Sequence, residues 1–502
     1  MDESKQRKSG AVLSYVSIII NCIIQLLYTP LLIRMLGQSE YGLYSLVASI
    51  IGYLTVLDFG FGNAIIVYTA KYRAQGKYEE EKKLHGMFNL IFIIIGIVAG
   101  ILGFILFLLS NKIFGNTMTQ LELHKMKIMM LILSFNLMLT FSFSIYNSII
   151  SAYEKFTFQK IIAIISAVLK PALMIPLLFI GYKSIALSIV ITIVNIIVVF
   201  SNYYYCKNKL NVTTKFLGFD KALFKVIFGY SIWIFLGVIV DKANWSVDQF
   251  VLGAVSGTVA VSIYSIASTL NILFLNLSTA ISGILLPKMS KMVANKASSE
   301  ELTNEFIKVG RIQYYIIFLM CSGLVLFGKE FISLWAGEGF SESYYVALLL
   351  IIPVCIPLIQ NLGISIRQAM NMHKFPAVVN IVIAVLNIII SIPLARKYGA
   401  VGAAVGTAIG ITISIIINNM YYYAKIKLNI FKFWHEILVL TIKFFIAVII
   451  IVIFIKIINL EGILFIVVNG ALYTAVFCLV SYFICMNKYE KNLIKNITSR
   501  RR

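Results

Sequence analysis

Apolar runs of about twenty residues or more recur along the whole chain, separated by short charged intervals. A helix rises about 1.5 Å per residue, so crossing about 30 Å of hydrocarbon takes about 20 mostly apolar residues. Runs of that kind fall at 12–34, 41–70, 86–110, 126–152, 160–180, 184–205, 222–250, 256–286, 309–328, 344–368, 375–395, 400–424, 436–458 and 462–485. The longest intervals, such as 71–85, 206–221 and 287–308, are too short for a soluble catalytic domain. The sequence is therefore that of an all-α polytopic membrane protein with about fourteen transmembrane helices. Composition enters at this point: 60% of the 502 residues are hydrophobic and 13% charged, against about 45–50% and about 25% in soluble chains. The surplus apolar surface must face lipid.

Basic residues outnumber acidic ones 43 to 21, a formal charge of +22. A nucleic-acid surface would gather them in one patch. Here they lie between the apolar runs, which argues against a nucleic-acid partner and for anchoring at a cytoplasmic membrane face. With the N-terminus placed in the cytoplasm, 31 Lys and Arg fall on that side and 10 on the other; Lys170 and Lys443 lie inside runs. Both termini are expected to be cytoplasmic. The polar segment Met1–Gly10 leads into the first run without a small-residue cleavage site, so that run reads as a spanning helix, not a removed signal. The six cysteines form no CxxC pair and read as small buried hydrophobes. His85, His124, His373 and His435 have no ligand spacing. Neither a metal nor a cofactor is expected.

The chain repeats itself. Leu36-Gly37 followed by Tyr44-Ser45-Leu46-Val47-Ala48-Ser49 returns as Leu252-Gly253 followed by Tyr264-Ser265-Ile266-Ala267-Ser268. Ala152-Tyr153-Glu154-Lys155-Phe156 returns as Asn371-Met372-His373-Lys374-Phe375. Tyr44 and Tyr264 are 220 residues apart, Lys155 and Lys374 219 apart. Six runs separate equivalent positions, so the copies share one orientation, as in parallel transporter repeats with a substrate site between them. The expected organisation is a six-helix bundle at 1–215, a second at 216–430, and two further helices with a basic tail at 431–502.

Several motifs resemble one family. Tyr28-Thr-Pro-Leu-Leu-Ile-Arg-Met-Leu-Gly37, Glu40-Tyr41-Gly42-Leu43-Tyr44 and Leu57-Asp58-Phe59-Gly60-Phe61-Gly62 resemble the start of bacterial Wzx-type polysaccharide flippases. Those flippases belong to the multidrug/oligosaccharidyl-lipid/polysaccharide exporter superfamily. Asp248-Gln-Phe-Val-Leu-Gly253, Ile263-Tyr264-Ser265, Leu286-Pro287-Lys-Met-Ser290 and Tyr398-Gly399-Ala-Val-Gly402-Ala-Ala extend the likeness to about residue 425. The resemblance implies movement of an undecaprenyl-pyrophosphate-linked oligosaccharide from the inner to the outer leaflet of the bacterial cytoplasmic membrane, for capsule or O-antigen synthesis. It further implies alternating access driven by proton or sodium antiport, beside a polysaccharide polymerase and chain-length machinery. The same superfamily leaves two other cargoes open: a lipid-linked peptidoglycan precursor, or a cationic drug.

A diphosphate and a glycan crossing the bilayer require a polar, cationic path, and an ionisable residue inside a span is costly enough to be a candidate by default. Arg34, at the end of the first run, reads either as a snorkelling interfacial residue or as a bidentate diphosphate ligand. Lys170 precedes Pro171 midway along the fifth run and is the deepest cation; with Lys242 it completes the candidate cationic cavity. Asp58 is either an ion-coupling carboxylate or the holder of a helix break at Gly60 and Gly62. Asp241, Asn244, Trp245 and Asp248 are spaced to share one helical face, so Asp241 and Asp248 are further coupling candidates. Asn21, Gln25, Tyr264 and Asn271 are expected to line the cavity, although single polar residues on spanning helices more often serve as packing contacts. A membrane polymerase or glycosyltransferase is the competing class. The sequence lacks the large external loop of the first and the acidic metal motifs of the second.

Overall fold

A computed structural model describes the chain except at residues 1–2, 215, 217, 246, 283–285, 371, 373, 458–459 and 500–502. The described residues are almost entirely helical and include no strand. Contacts divide the chain into two compact units, Met1–Ser262 and Ile263–Arg502.

The first unit opens with α1 (Glu3–Leu36) and continues through α2 (Gln38–Leu54), α3 (Phe61–Ala74) and α4 (Tyr78–Phe114). It goes on with α5 (Gln120–Ser142), α6 (Ser144–Ala152), α7 (Phe156–Phe179) and α8 (Ser184–Asn208). α9 (Lys221–Trp245), α10 (Val247–Val255) and the first turns of α11 (Gly257–Ser282) complete it. The second unit adds α12 (Leu286–Ala294), α13 (Ser299–Trp335), α14 (Glu342–Ile359), α15 (Asn361–Ala369), α16 (Lys374–Tyr421), α17 (Ile430–Ile457), α18 (Gly462–Val480) and α19 (Lys488–Ser499).

These helices have the surface of a membrane protein. On α4, Ile94, Ile97, Ile101, Phe104 and Leu108 are exposed, while Phe92, Ile95 and Ala99 on the opposite face are buried. An apolar stripe pointing outward at helical spacing has no place in water and is what lipid requires. Between helices, where lipid gives no hydrophobic drive to associate, close approach does the work. A Cβ at Gly96 would sit 2.6 Å from the Met138 carbonyl oxygen, and one at Gly103 2.1 Å from Ser134 Oγ. α4 and α5 therefore meet backbone to backbone.

Twelve helices among the described residues are long and apolar enough to cross a membrane. The difference from fourteen has two local causes. The run at 222–250 contains residue 246 and other residues outside the description. The runs at 375–395 and 400–424 form one 49-residue candidate, Val378–Ile426. That helix turns at Tyr398 and Gly399, whose φ of 56° is a left-handed conformation suited to glycine. After the turn it packs on itself: a Cβ at Gly402 would lie 2.0 Å from the Leu394 oxygen, and Ser391 Oγ donates to the Ala403 oxygen at 3.3 Å.

Element lengths repeat. α4 and α13 are each 37 residues, and α6 and α15 are each nine. The fourth run breaks at Phe143 between α5 and α6, and its counterpart breaks at Gln360 between α14 and α15. α3 packs on α6 as α12 packs on α15. The division by contacts cuts elsewhere than the repeat, because α9 and α10 pack on α2, α3 and α4.

The last helices are firmly attached. Leu440 and Phe444 of α17 with Tyr473 and Phe477 of α18 form one buried cluster with Tyr315 and Phe327 of α13. Arg311 of α13 donates to both oxygens of Glu490 on α19, from Nε at 2.7 Å and Nη2 at 3.1 Å, and to Glu436 Oε2 from Nη1 at 2.7 Å. Tyr315 Oη and the Asn487 backbone N–H also donate to Glu490, at 3.2 and 2.9 Å.

Candidate functional site: a helix break with facing charges

The second span is not continuous. α2 stops at Leu54, a tight 3-10 turn covers Thr55–Asp58, and Phe59 and Gly60 take left-handed conformations with φ of 51° and 72° before α3 starts. A restarted helix exposes backbone N–H groups with no intrahelical acceptor. The Asp58 carboxylate accepts hydrogen bonds from the backbone N–H groups of Gly60 and Gly62. It thereby caps α3.

The seventh span packs along this break. The Phe59 ring stacks on Phe235 of α9 at 4.6 Å, and Phe61 meets Phe224 and Phe228 at 6.2 and 6.3 Å. α9 is described as far as Trp245 and α10 from Val247. Charges on α9 and α10 face α2. Lys242 Nζ lies 3.9 Å from where a Gly52 Cβ would stand. Asp248 is 1% exposed and lies within electrostatic reach of the next residue on α2, Tyr53. A cation and a carboxylate thus meet consecutive residues of α2, one turn before the Asp58 break.

One end of the first unit is tied by a hydroxyl-rich latch. Glu122, at the start of α5, accepts from Ser39 Oγ at 2.5 Å, Thr258 Oγ1 at 2.8 Å and the Thr119 backbone N–H at 2.8 Å. Thr117 Oγ1 donates to the Gly253 oxygen at 2.8 Å. The neighbouring Glu40 is ion-paired with Lys125 and accepts from Ser184. A Cβ at Gly42 would lie 1.9 Å from the Thr258 oxygen. These contacts hold the turn between α10 and α11 against the ends of α2, α4 and α5. Of this cluster, only the Thr119-x-x-Glu122 capping box is a pattern visible in sequence.

At the other end, the Arg73 guanidinium lies 3.6 Å from the Tyr153 ring, and Tyr153 Oη donates to buried Glu81 at 2.7 Å. Burial and the adjacent Glu81 push the Tyr153 hydroxyl well above its usual range, so it remains a donor.

The other sequence candidates are scattered. Arg34 is exposed in the last turn of α1. Lys170 is half-buried in α7 beside Pro171, and no hydrogen bond or ion pair to it occurs among the described residues. Asn21 is exposed, and its amide donates to the Ser17 oxygen of its own helix at 2.7 Å. Gln25 is half-buried on α1. Tyr264 and Asn271 are buried on the part of α11 that belongs to the second unit. Asp241 and Asn244 lie on α9, but their side chains are outside the described residues. Arg367 is fastened to α16, donating to Asn418 Oδ1 at 2.7 Å. No group of three or more His, Cys, Asp or Glu side chains suited to a metal occurs among the described residues.

Comparison with known proteins gives this arrangement a setting. The family model described as polysaccharide biosynthesis protein matches residues 8–293. A Shigella flexneri protein named "Putative O-antigen transporter" is 22% identical over 380 residues, covering 74% of this chain and 87% of that one. The lipid II flippase MurJ in its inward closed conformation has a TM-score of 0.74 at 17% identity, covering 97% of this chain and 99% of that one. An inward-facing multidrug resistance MATE transporter of the MOP superfamily has a TM-score of 0.62 at 13% identity, covering 80% and 98%. The two structural likenesses concern the fold, while the family match covers more than half of the sequence. The chain belongs to the polysaccharide biosynthesis protein family, as a multi-pass membrane protein with the fold of the multidrug/oligosaccharidyl-lipid/polysaccharide exporters.

Proposed function

We propose that this protein is a flippase of the bacterial cytoplasmic membrane that moves undecaprenyl-pyrophosphate-linked oligosaccharide repeat units to the outer leaflet, by alternating access coupled to proton or sodium entry. The observation that carries the reading is Lys170, a half-buried cation inside a spanning helix with no anionic partner among the described residues. A charge in that position is costly unless something answers it. A diphosphate substrate answers it; a cationic drug does not. Lys242 and Arg34 extend the cationic path. Asp248, buried beside α2, is the described carboxylate best placed for coupling, with Asp241 seven residues before it on α9.

Family membership and the O-antigen relative support the cargo. The MurJ likeness keeps a lipid-linked peptidoglycan precursor as the second reading, since the same diphosphate chemistry serves both. The test is chemical analysis of a deletion strain. The glycan-bearing lipid intermediate should accumulate on the cytoplasmic side, with the sugars of the surface polysaccharide. Accumulation of peptidoglycan precursor instead would move the assignment to the second reading.

A further inference from the structure

In the second unit a cavity of about 460 Å³ lies between α13, α14 and α17. Its wall is apolar apart from a few groups, among them Tyr314, whose Oη is within 2.5 Å of Thr441 Oγ1. Ile352 and Leu438 on its lining are exposed, so it communicates with the lipid-facing surface. Cys321 of α13 and Cys355 of α14 line it together, and their thiols are in side-chain contact. Both are free thiols.

The first unit offers a parallel for how close such positions come. Counted from the helix starts at Tyr78 and Ser299, Cys321 occupies the place of Gly100. Counted from the breaks at Phe143 and Gln360, Cys355 occupies the place of Met138. In the first unit those two positions touch: a Cβ at Gly100 would stand 3.7 Å from Met138 Cβ. A disulfide needs Cβ atoms about 3.5–4.5 Å apart. The packing of α4 on α5 thus brings paired side chains to bridging separation, and α13 packs on α14 in the same order. The second copy has filled both positions with cysteine.

We propose that Cys321 and Cys355 are a thiol pair oxidised to a disulfide by a lipophilic quinone that reaches the cavity from the bilayer. In the reaction both S–H bonds break and one S–S bond forms; two electrons and two protons pass to the quinone, which leaves as the quinol. Water-soluble oxidants partition poorly into an apolar cavity, whereas a membrane quinone is already in the adjoining phase. The bridge would join α14, between Pro353 and Pro357, to the middle of α13, and so fix the walls of the cavity.

The experiment uses the full-length protein in native membranes, treated with a fully substituted decyl-benzoquinone, then denatured, alkylated and digested. The expected result is a Cys321–Cys355 linked peptide that disappears on reduction in detergent. In Cys355→Ser, Cys321 should stay fully alkylatable under the same treatment. The site is overturned if both thiols alkylate equally with and without quinone, or if oxidation joins either cysteine to another residue or chain instead.

Discussion

Asp58 and Asp248 carry the same charge inside neighbouring spans, yet their surroundings assign them different work. Asp58 spends its oxygens on the N–H groups of Gly60 and Gly62. An asparagine there keeps an acceptor, whereas an alanine leaves the start of α3 uncapped, at a cost of about 1 kcal/mol. Asp58→Asn should therefore keep wild-type thermal stability and its response to an ion gradient, while Asp58→Ala melts at lower temperature. Asp248→Asn should show the reverse: normal stability, with transport that no longer follows the imposed proton or sodium gradient. A carboxylate that couples must change its occupancy between conformations, and one engaged in capping a helix is poorly suited to that. Melting curves and gradient-driven uptake on the three variants check both assignments. A loss of gradient response in Asp58→Asn alone would exchange the two roles.

The element scale shows what the sequence made legible and what it hid. The breaks at Asp58–Gly62 and at Tyr398–Gly399 announce themselves, because glycine permits the left-handed backbone that each turn uses. The break at Phe143 does not, since no glycine or proline adjoins it. The capping box at Thr119 is readable, but its Glu122 also accepts from Thr258, 136 residues away, which no local pattern predicts. The clamp at Arg311 is hidden for the same reason, since Glu490 is 179 residues downstream. The sequence offered no motif for the two last spans, yet they are tied to α13 by this clamp and an aromatic cluster. Removing one partner strands a buried charge, at a cost of about 3–5 kcal/mol. Arg311→Ala and Glu490→Ala should each lower the melting temperature in detergent by several degrees, and the double variant should cost less than the sum of the two. Strict additivity would mean that the pair does not act as one unit.

For the whole molecule, the apolar runs and the basic bias were enough to read an all-helical membrane protein, because a continuous apolar run of about twenty residues satisfies its backbone in lipid as a helix. The repeat read from two short motifs stands beside equal lengths of α4 and α13 and of α6 and α15. What the sequence did not reveal is which polar residues are already satisfied within their own helix, as Asn21 is. Topology remains a prediction of the basic-residue bias: tags at Gln75, Ala294 and the C-terminus should report cytoplasm, and a tag at Gly339 the exterior. A C-terminus reporting exterior would break the even-span arrangement.

The proposed function has an anionic lipid-linked glycan crossing this protein past Lys170, a cation with no ion-pair partner among the described residues. Its most direct measurement is movement of labelled undecaprenyl-pyrophosphate-linked repeat unit across proteoliposome membranes, comparing wild type with Lys170→Ala. A charge-assisted contact is worth about 1.5–3 kcal/mol, so the variant should move the lipid about tenfold more slowly or worse, with normal insertion. Equal rates for the two proteins, or a wild-type rate no faster than that of protein-free vesicles, would contradict the account.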